Sequence, residues 1–454
     1  MNELLTEGSI RKHILRIAVP TSTGMFFNTM FNVVDTYFAG QLGTASLAGM
    51  SASFSVFFIL TAMTAGVGTG IAALLSNAIG RKDHPTADRL TANGLLLAVV
   101  VGCVLTVLGV LFAPYLLALL GASGDAYAEG SRYVSCIYTG SLFFALNSAM
   151  NALLSSRGLT KPYRNFLIFG FLLNLILDPL FIFGWLGLPK LGTMGVALAT
   201  VIIQFVGTVY LSFKVRKLID VKLEKLSPKQ FSLQKQREIL GQGIPAALNM
   251  LTIAIGIFVI NFFIYRFGND ASTAGYGAGM RVEQIALLPA IGLNTATLTL
   301  VGQNYGAGQL DRVRETFFTA LKIGLAIMVV GIAIIFPLAP LLIGLFNDDP
   351  AVVFEGTRYL RIDMTAFFGY VIINICLSML QGLKKPHYAI WVGIYRQLAM
   401  PALLFWLLGD VLELGLPGVW WGIVATVWTG ALGMLYLARN EYRKLQNQSE
   451  STLS

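Results

Sequence analysis

Twelve stretches of this chain are long enough and apolar enough to cross a bilayer, and that pattern limits the fold more than anything else in the sequence. They run roughly over residues 14–38, 44–77, 91–120, 126–156, 162–184, 191–214, 236–266, 271–304, 314–346, 351–382, 386–409 and 416–440. A helix needs about 20 apolar residues to cross about 30 Å of hydrocarbon. The longer stretches must therefore tilt, bend or project from it. Only 12% of the 454 residues are charged, against roughly 25% in a soluble domain, and the mean hydropathy is +0.70. No segment alternates polar and apolar residues over the roughly ten positions of a barrel strand. The sequence therefore predicts an all-α polytopic membrane protein of twelve transmembrane helices.

The formal net charge is +9, but its placement argues against nucleic acid. With the N-terminus placed inside, the even-numbered loops and both tails hold 25 of the 32 Lys and Arg residues. The opposite side holds Arg132, Lys190, Arg266, Arg358 and Arg361, and Arg281 and Arg396 fall within spans. This is the positive-inside bias, which puts both termini in the cytoplasm and assigns the basic excess to anionic membrane lipid, with no nucleic-acid partner. The first twelve residues are polar and the span after them exceeds a signal-peptide core, so no cleavage is expected. Cys103, Cys136 and Cys376 stand singly in spans as packing residues, with no disulfide framework or metal set. His13, His84 and His387 read as ordinary surface residues at cytoplasmic ends and loops.

An internal duplication organises the chain. ASLAG at 45–49 recurs as ASTAG at 271–275, and NAIGRKDHPTADR (77–89) as QNYGAGQLDRVR (303–314). Pro20 matches Pro245, RGLTKP (157–162) matches QGLKKP (381–386), and GVALAT (195–200) matches GVWWGI (418–423). Five matches in order, all offset by 223–226 residues, predict two six-helix lobes of one fold. These are an N-lobe over 1–214, a charged cytoplasmic linker over 215–236, a C-lobe over 237–440 and a cytoplasmic tail over 441–454. An even number of helices per lobe gives both the same orientation. Carriers use this layout so that two bundles can rock about a central site.

A charge inside hydrocarbon costs at least about 2.5–3.5 kcal/mol at the helix centre, so each one calls for a reason. Asp35 lies late in span 1, and Asp178 lies in span 5 with Asn174 one turn earlier on the same face. Pro179 frees a backbone carbonyl beside that acid. Thr200 in span 6 can reach the same interior if these helices pack as one bundle. Two carboxylates, an amide oxygen and a hydroxyl make a set of oxygens suited to a hard cation such as Na⁺. Two carboxyls close together and away from water equally suit a proton, since neither burial nor a like neighbour favours the second negative charge. Separate structural acids are the alternative. The matched positions, Ile260 or Asn261 and Ala402, carry no acid, so the fold does not require them. Pro20 weakens span 1 fifteen residues before Asp35, where protonation of Asp35 would switch the span between straight and bent forms. A static kink, which Pro245 also suggests, is the other reading.

In the second half, Arg281 and Glu283 open a segment of span 8 and Arg396 stands in span 11. Substrate binding or gating and interior ion pairing fit these three equally, and residues two apart do not face each other on a helix. Asp363, near Arg361 and the outer interface, reads as solvated. Met25, Phe26, Phe27, Met30, Phe57 and Phe58 read as helix packing.

Taken together these residues resemble the multidrug and toxic compound extrusion (MATE) transporter family from about residue 10 to 440. The likeness rests on Pro20 with Asp35 in VPTSTGMFFNTMFNVVDTYFAGQLG, on Asn174 with Asp178, on GVALAT ending at Thr200, and on VGQNYGAG at 301–308. Membership implies two six-helix lobes in a V around a central cavity. It also implies antiport of drugs or toxic organic cations against H⁺ or Na⁺, and a cation site at Asp35, Asn174, Asp178 and Thr200. Tyr138 matches an N-lobe cavity tyrosine. Tyr370 stands where the norfloxacin-efflux branch has an acid, so the chain resembles the branch typified by the damage-inducible F proteins. The expected protein is a monomeric secondary transporter of the inner (cytoplasmic) membrane, not an enzyme, with no cofactor and no metal beyond a Na⁺ at the coupling site. A lipid-linked oligosaccharide flippase of the same superfold is the nearest alternative, but should carry more basic residues in its spans. A membrane prenyltransferase would need DxxxD or DDxxD metal motifs, and an ATP-driven pump a GxxxxGK[ST] loop. None of these motifs is present.

Overall fold

The computed structural model of the protein describes residues 5–219 and 231–451, and every regular element among them is helical. Half of the linker placed at 215–236, residues 220–230, lies outside the described residues. Helix α1 covers Ile10–Gln41, α2 Thr44–Gly80 and α3 His84–Leu119. Span 4 is two helices, α4 (Gly124–Thr139) and α5 (Ser141–Ser155), bent by 50° at Gly140. Helices α6 (Lys161–Phe183) and α7 (Thr193–Ile219) complete the first repeat. The second opens with α8 (Leu233–Phe267), α9 (Asp270–Gly306) and α10 (Leu310–Gly344). Its fourth span is again broken, into α11 (Pro350–Asp363) and α12 (Phe367–Gly382) with a 3₁₀ turn at Met364–Ala366. The fifth runs through α13 (His387–Ile394) and α14 (Met400–Phe405), interrupted by π turns at Tyr395–Ala399 and Trp406–Val411. Helix α15 is Gly415–Ser451.

Ten of these runs, and the bent α4–α5 pair as an eleventh, are long and apolar enough to cross a membrane. The twelfth is α1, whose Thr21, Ser22, Thr23, Asn28, Thr29, Asn32 and Asp35 dilute an otherwise apolar helix of 32 residues. The chain is an all-α, multi-pass membrane protein.

Packing divides the chain into two units, Thr23–Ala247 and Met1–Ser22 with Leu248–Ser454. These are not the sequence repeats. The chain passes from one unit to the other inside the first helix of each repeat, two residues after Pro20 in α1 and two residues after Pro245 in α8.

Within unit Thr23–Ala247, α2 is central and most of its apolar window is buried, whereas only 28% of α3's is. Where α2 crosses α4, the backbones meet at Gly49 and Gly130. A Cβ on Gly49 would lie 2.6 Å from the Ala126 carbonyl oxygen, so only glycine fits. In the other unit α9 crosses α11 in the same way, and a Cβ on Gly275 would lie 2.6 Å from the Gly356 amide nitrogen. The repeated ASxAG motif is therefore the signature of a helix crossing present once in each unit. The second crossing also repeats, as Gly66 of α2 against Gly243 and Gly292 of α9 against Ala18.

The N-terminal segment is fastened to its unit. Arg312 donates to the carbonyls of Gly8 (3.0 Å) and Leu5 (3.4 Å) and to Asn304 Oδ1 (2.9 Å), while Asn304 also donates to Leu5. Asn304 of VGQNYGAG is thus engaged in holding the chain start. His13 is 3% exposed, with Nε2 2.7 Å from the Glu7 carbonyl. This corrects its reading as a surface residue, since the segment before α1 folds back over the ring.

Candidate functional site

Three of the four residues expected to form an ion site converge. Asp35 comes from α1, and Asn174 and Asp178 come from α6, one turn apart. Asp35 is 4% exposed, and Asn174 and Asp178 are fully buried. The Asn174 Nδ2 group donates to Asp35 Oδ1 at 2.9 Å and to Asp178 Oδ1 at 2.9 Å, joining the two carboxyls through one amide. Both donors of that amide are used, so Asn174 Oδ1 is left as a buried acceptor with no donor against it, as is Asp178 Oδ2. Pro179 sits inside α6 immediately after the acid and removes the donor for the carbonyl four residues earlier, adding unsatisfied oxygen character on that helix.

Thr200 is buried on α7, which packs along α6. Its hydroxyl donates to the Val196 carbonyl of its own helix at 3.1 Å and makes no hydrogen bond to either carboxyl. What it can offer the site is a lone pair. Tyr133 of α4, which sequence reasoning passed over, stands close enough to act electrostatically on both Asp35 and Asp178. The tyrosine expected to line a cavity, Tyr138, instead lies in the packed core. It is 3% exposed, its ring rests on Gly109, and its hydroxyl donates to the Val56 carbonyl at 2.9 Å. Pro20 lies inside continuous α1, at the passage from one unit to the other.

The three residues singled out in the second half do not form one group. Arg281 is exposed and stacks over the Phe346 ring at 5.6 Å. Glu283, two positions on, turns inward, and its Oε2 accepts from the Tyr359 hydroxyl at 2.8 Å. Arg396 lies in the first π turn, 5.5 Å over the ring of Tyr370, and acts on Glu283 through space. Asp363, read as solvated, is 1% exposed and faces Glu283. Its neighbour Arg361 points elsewhere, over the Phe336 ring at 5.1 Å. The correction has a simple cause: residues two apart on a helix project in different directions, so proximity in sequence to Arg361 said nothing about water.

Chemically, the first group can take up and release a small cation. With both carboxylates charged, the bridging amide gives only dipolar stabilisation, so a proton or monovalent cation among these oxygens relieves like-charge repulsion in a medium that does not solvate charge.

Comparison with known proteins places the chain. The family model MatE matches the chain twice, over residues 20–180 and 245–405, reproducing the duplication at an offset of 225. A relative in Thermotoga maritima, the "Probable multidrug resistance protein NorM", is 27% identical over 96% of this chain and 94% of its own length. The "FAD transporter" of Shewanella oneidensis is 28% identical over 99% of both. A solved structure described as the outward-facing conformation of a multidrug resistance MATE family transporter of the MOP superfamily has a TM-score of 0.91 at 25% identity, covering 98% of each chain. With the two matches spanning most of its length, the chain belongs to the MatE family.

Proposed function

We propose that this protein is a secondary active multidrug efflux antiporter, exporting amphipathic or cationic compounds in exchange for H⁺ or Na⁺ by alternating access. The observation that carries the reading is the single Asn174 amide holding two buried carboxyls together, with two further buried oxygens left without donors. A site of this kind changes net charge when a cation arrives, which is what coupling requires. Ion and substrate must favour different conformers, because a ligand that binds both equally shifts nothing. An elementary charge falling through 100 mV releases about 2.3 kcal/mol, enough for one or two ions to support a useful gradient.

In this reading Asp35, Asn174 and Asp178 form the coupling site, with Thr200 as an auxiliary acceptor. Pro20 gives α1 its point of bending where the helix changes units. In this reading both termini are cytoplasmic, which the basic loops and tails support, and the chain works as a monomer in the inner membrane. Tyr370, in place of an acid, supports a branch resembling the damage-inducible F proteins. The family and the names of the multidrug relatives support the substrate class. The relative named for FAD supports a second reading, export of an anionic dinucleotide, against which the scarcity of basic residues within spans argues.

The test is counterflow in proteoliposomes of a fluorescent organic cation and, separately, of FAD, with ΔpH and ΔNa⁺ imposed one at a time. Cation exchange driven by one of the two gradients and lost in Asp178→Asn supports the proposal. FAD exchange without cation exchange would overturn the substrate class, and exchange indifferent to both gradients would overturn antiport.

A further inference from the structure

The unit made of Met1–Ser22 and Leu248–Ser454 carries a groove of about 550 Å³ that the coupling reading does not use. Helix α1 lines it with Arg11 and Leu15, α9 with Ile285, and α10 from Ile323 to Gly331. That stretch of α10 gives the groove a length of about 12 Å at the helical rise. Leu15, Ile285 and Val330 are left exposed in the folded chain, so the groove is open along one side. Only 17% of the apolar window of α10 is buried, which turns that side toward hydrocarbon. Small residues make the room. A Cβ on Gly331 would meet nothing within 4 Å.

Every lining residue is apolar except Arg11. Its side chain is exposed and, among the described residues, has no hydrogen bond, ion pair or aromatic ring against it. Gly8, three residues earlier, accepts from Arg312 in the first turn of α10 at 3.0 Å. Arg11 therefore stands at the end of the groove where α1 and α10 begin. Lys322, next to Ile323, is a second exposed cation at that end with no partner among the described residues.

An apolar trough with positive charge at one end fits an amphiphile with an apolar tail and an anionic head. A guanidinium matches phosphate through parallel N–H donors. A cationic compound is disfavoured, because no carboxylate lines the groove and Arg11 repels it. The bilayer itself supplies the matching amphiphile. Anionic lipids enrich the cytoplasmic leaflet, and basic pockets between spans on that side bind their head groups.

We propose that this groove holds one anionic phospholipid, its phosphate on Arg11 and an acyl chain laid along α10 toward Gly331. The site rests on the function proposed above only for the side of the membrane on which α1 begins.

The experiment is native mass spectrometry of the full chain released from nanodiscs of phosphatidylglycerol and phosphatidylcholine in equal amounts. The expected result is a retained phosphatidylglycerol in preference to phosphatidylcholine. Arg11→Gln should cut that retention roughly fivefold, the scale of one basic residue at an anionic membrane surface, and Arg11→Lys should keep most of it. Gly331→Leu, which fills the trough, should lower retention with Arg11 still in place. Ala326→Leu blocks the same trough from a second exposed position, so the result does not hang on the folding of one variant. Phosphatidylglycerol held equally by wild type, Arg11→Gln and both leucine variants is general annular lipid and overturns the proposal. Loss in Arg11→Gln alone overturns the groove, since charge would then act without it. A tetraphenylphosphonium adduct that disappears in Gly331→Leu gives the groove to a cation and overturns the anionic occupant. Retention is read without transport, so a chain that fails the counterflow test can still show the lipid, and one that passes can still lack it.

Discussion

The two units set their acids on matching frames but surround them with different chemistry. In each, a glycine–glycine crossing brings the second and fourth spans of the repeat together, Gly49 with Gly130 and Gly275 with Gly356. Three residues after the second glycine of each pair comes a tyrosine that acts on both acids, Tyr133 in one unit and Tyr359 in the other. On that frame the Thr23–Ala247 unit places carboxyls on its first and fifth spans and joins them by an amide. The other unit places them on its second and fourth and sets a guanidinium nearby. An amide carries no charge, so under the proposed function the first pair relies on an arriving cation for balance. A guanidinium supplies a fixed positive charge to the second pair. The difference teaches that the fold specifies where polar groups meet, while single substitutions on it decide what those groups bind.

The comparison breaks most readily at the first pair. Asp178→Asn should lower ion-driven substrate exchange in proteoliposomes by roughly 100-fold, the scale on which loss of a few kcal/mol of differential binding disables coupling. Asp35→Asn should do nearly the same, and the double variant should be no worse than either alone, since the two act as one site. Wild-type exchange in either single variant would remove the reason for treating the amide-bridged pair as functional.

The second pair should respond less. Arg396→Leu leaves two carboxyls without their cation, and Glu283→Gln in the same chain restores the balance. We expect the single arginine variant to lose roughly five- to tenfold in exchange rate, within the usual range of coupling energies, with most of that loss recovered in the double variant. An arginine defect unaffected by Glu283→Gln would show that Arg396 acts through its contact with Tyr370 instead. Below this in size come the crossings. Gly49→Ala and Gly275→Ala should each destabilise by about 1–3 kcal/mol through forced separation of two backbones, read as lower thermal midpoints in detergent. Similar losses in both would sharpen the equivalence of the frames, and a loss in only one would break it.

How much of this was legible beforehand follows from where the physics is local. Span existence depends on runs of apolar residues, and the duplication on repeated strings, so both could be read directly. Asp35, Asn174 and Asp178 could be grouped because acids in hydrocarbon are costly and Asn174 lies one turn from Asp178. The break at Gly140 and the π turn under Arg396 depend on tertiary packing and left no local mark. Asp363 was misplaced because its environment is set by α9 and α12 and not by Arg361. A signal for it did exist: GSRY at 130–133 recurs as GTRY at 356–359. That repeat aligns Tyr133 with Tyr359 and puts Asp363 where the first unit has the buried Ile137.

The smallest expected effect concerns a turn that the two repeats also share. Asp83 and Gln309 occupy the same place before α3 and α10, with nearly the same backbone, φ/ψ −85/78 and −90/72. One residue earlier both chains enter the left-handed region, at Lys82 (φ 58) and Gly308 (φ 73). Only Asp83 caps its helix, accepting from the Thr86 amide at 3.1 Å, whereas the Gln309 side chain makes no such bond. The Thr86 hydrogen bonds hold the Asp83 carboxyl below its ordinary value. A depressed carboxyl contributes stability above its unfolded-state value and loses it as pH falls through the folded-state value. Asp83→Ala should therefore lower the thermal midpoint at pH 7 but leave it nearly unchanged once pH drops below the ordinary carboxyl range. Gln309→Asp should show the opposite, raising the midpoint at pH 7 by supplying a missing cap and losing that gain in acid. If Gln309→Asp gives no gain at any pH, the shared backbone of the two turns does not extend to a shared capping geometry, and the equivalence of the repeats stops at the helix crossings.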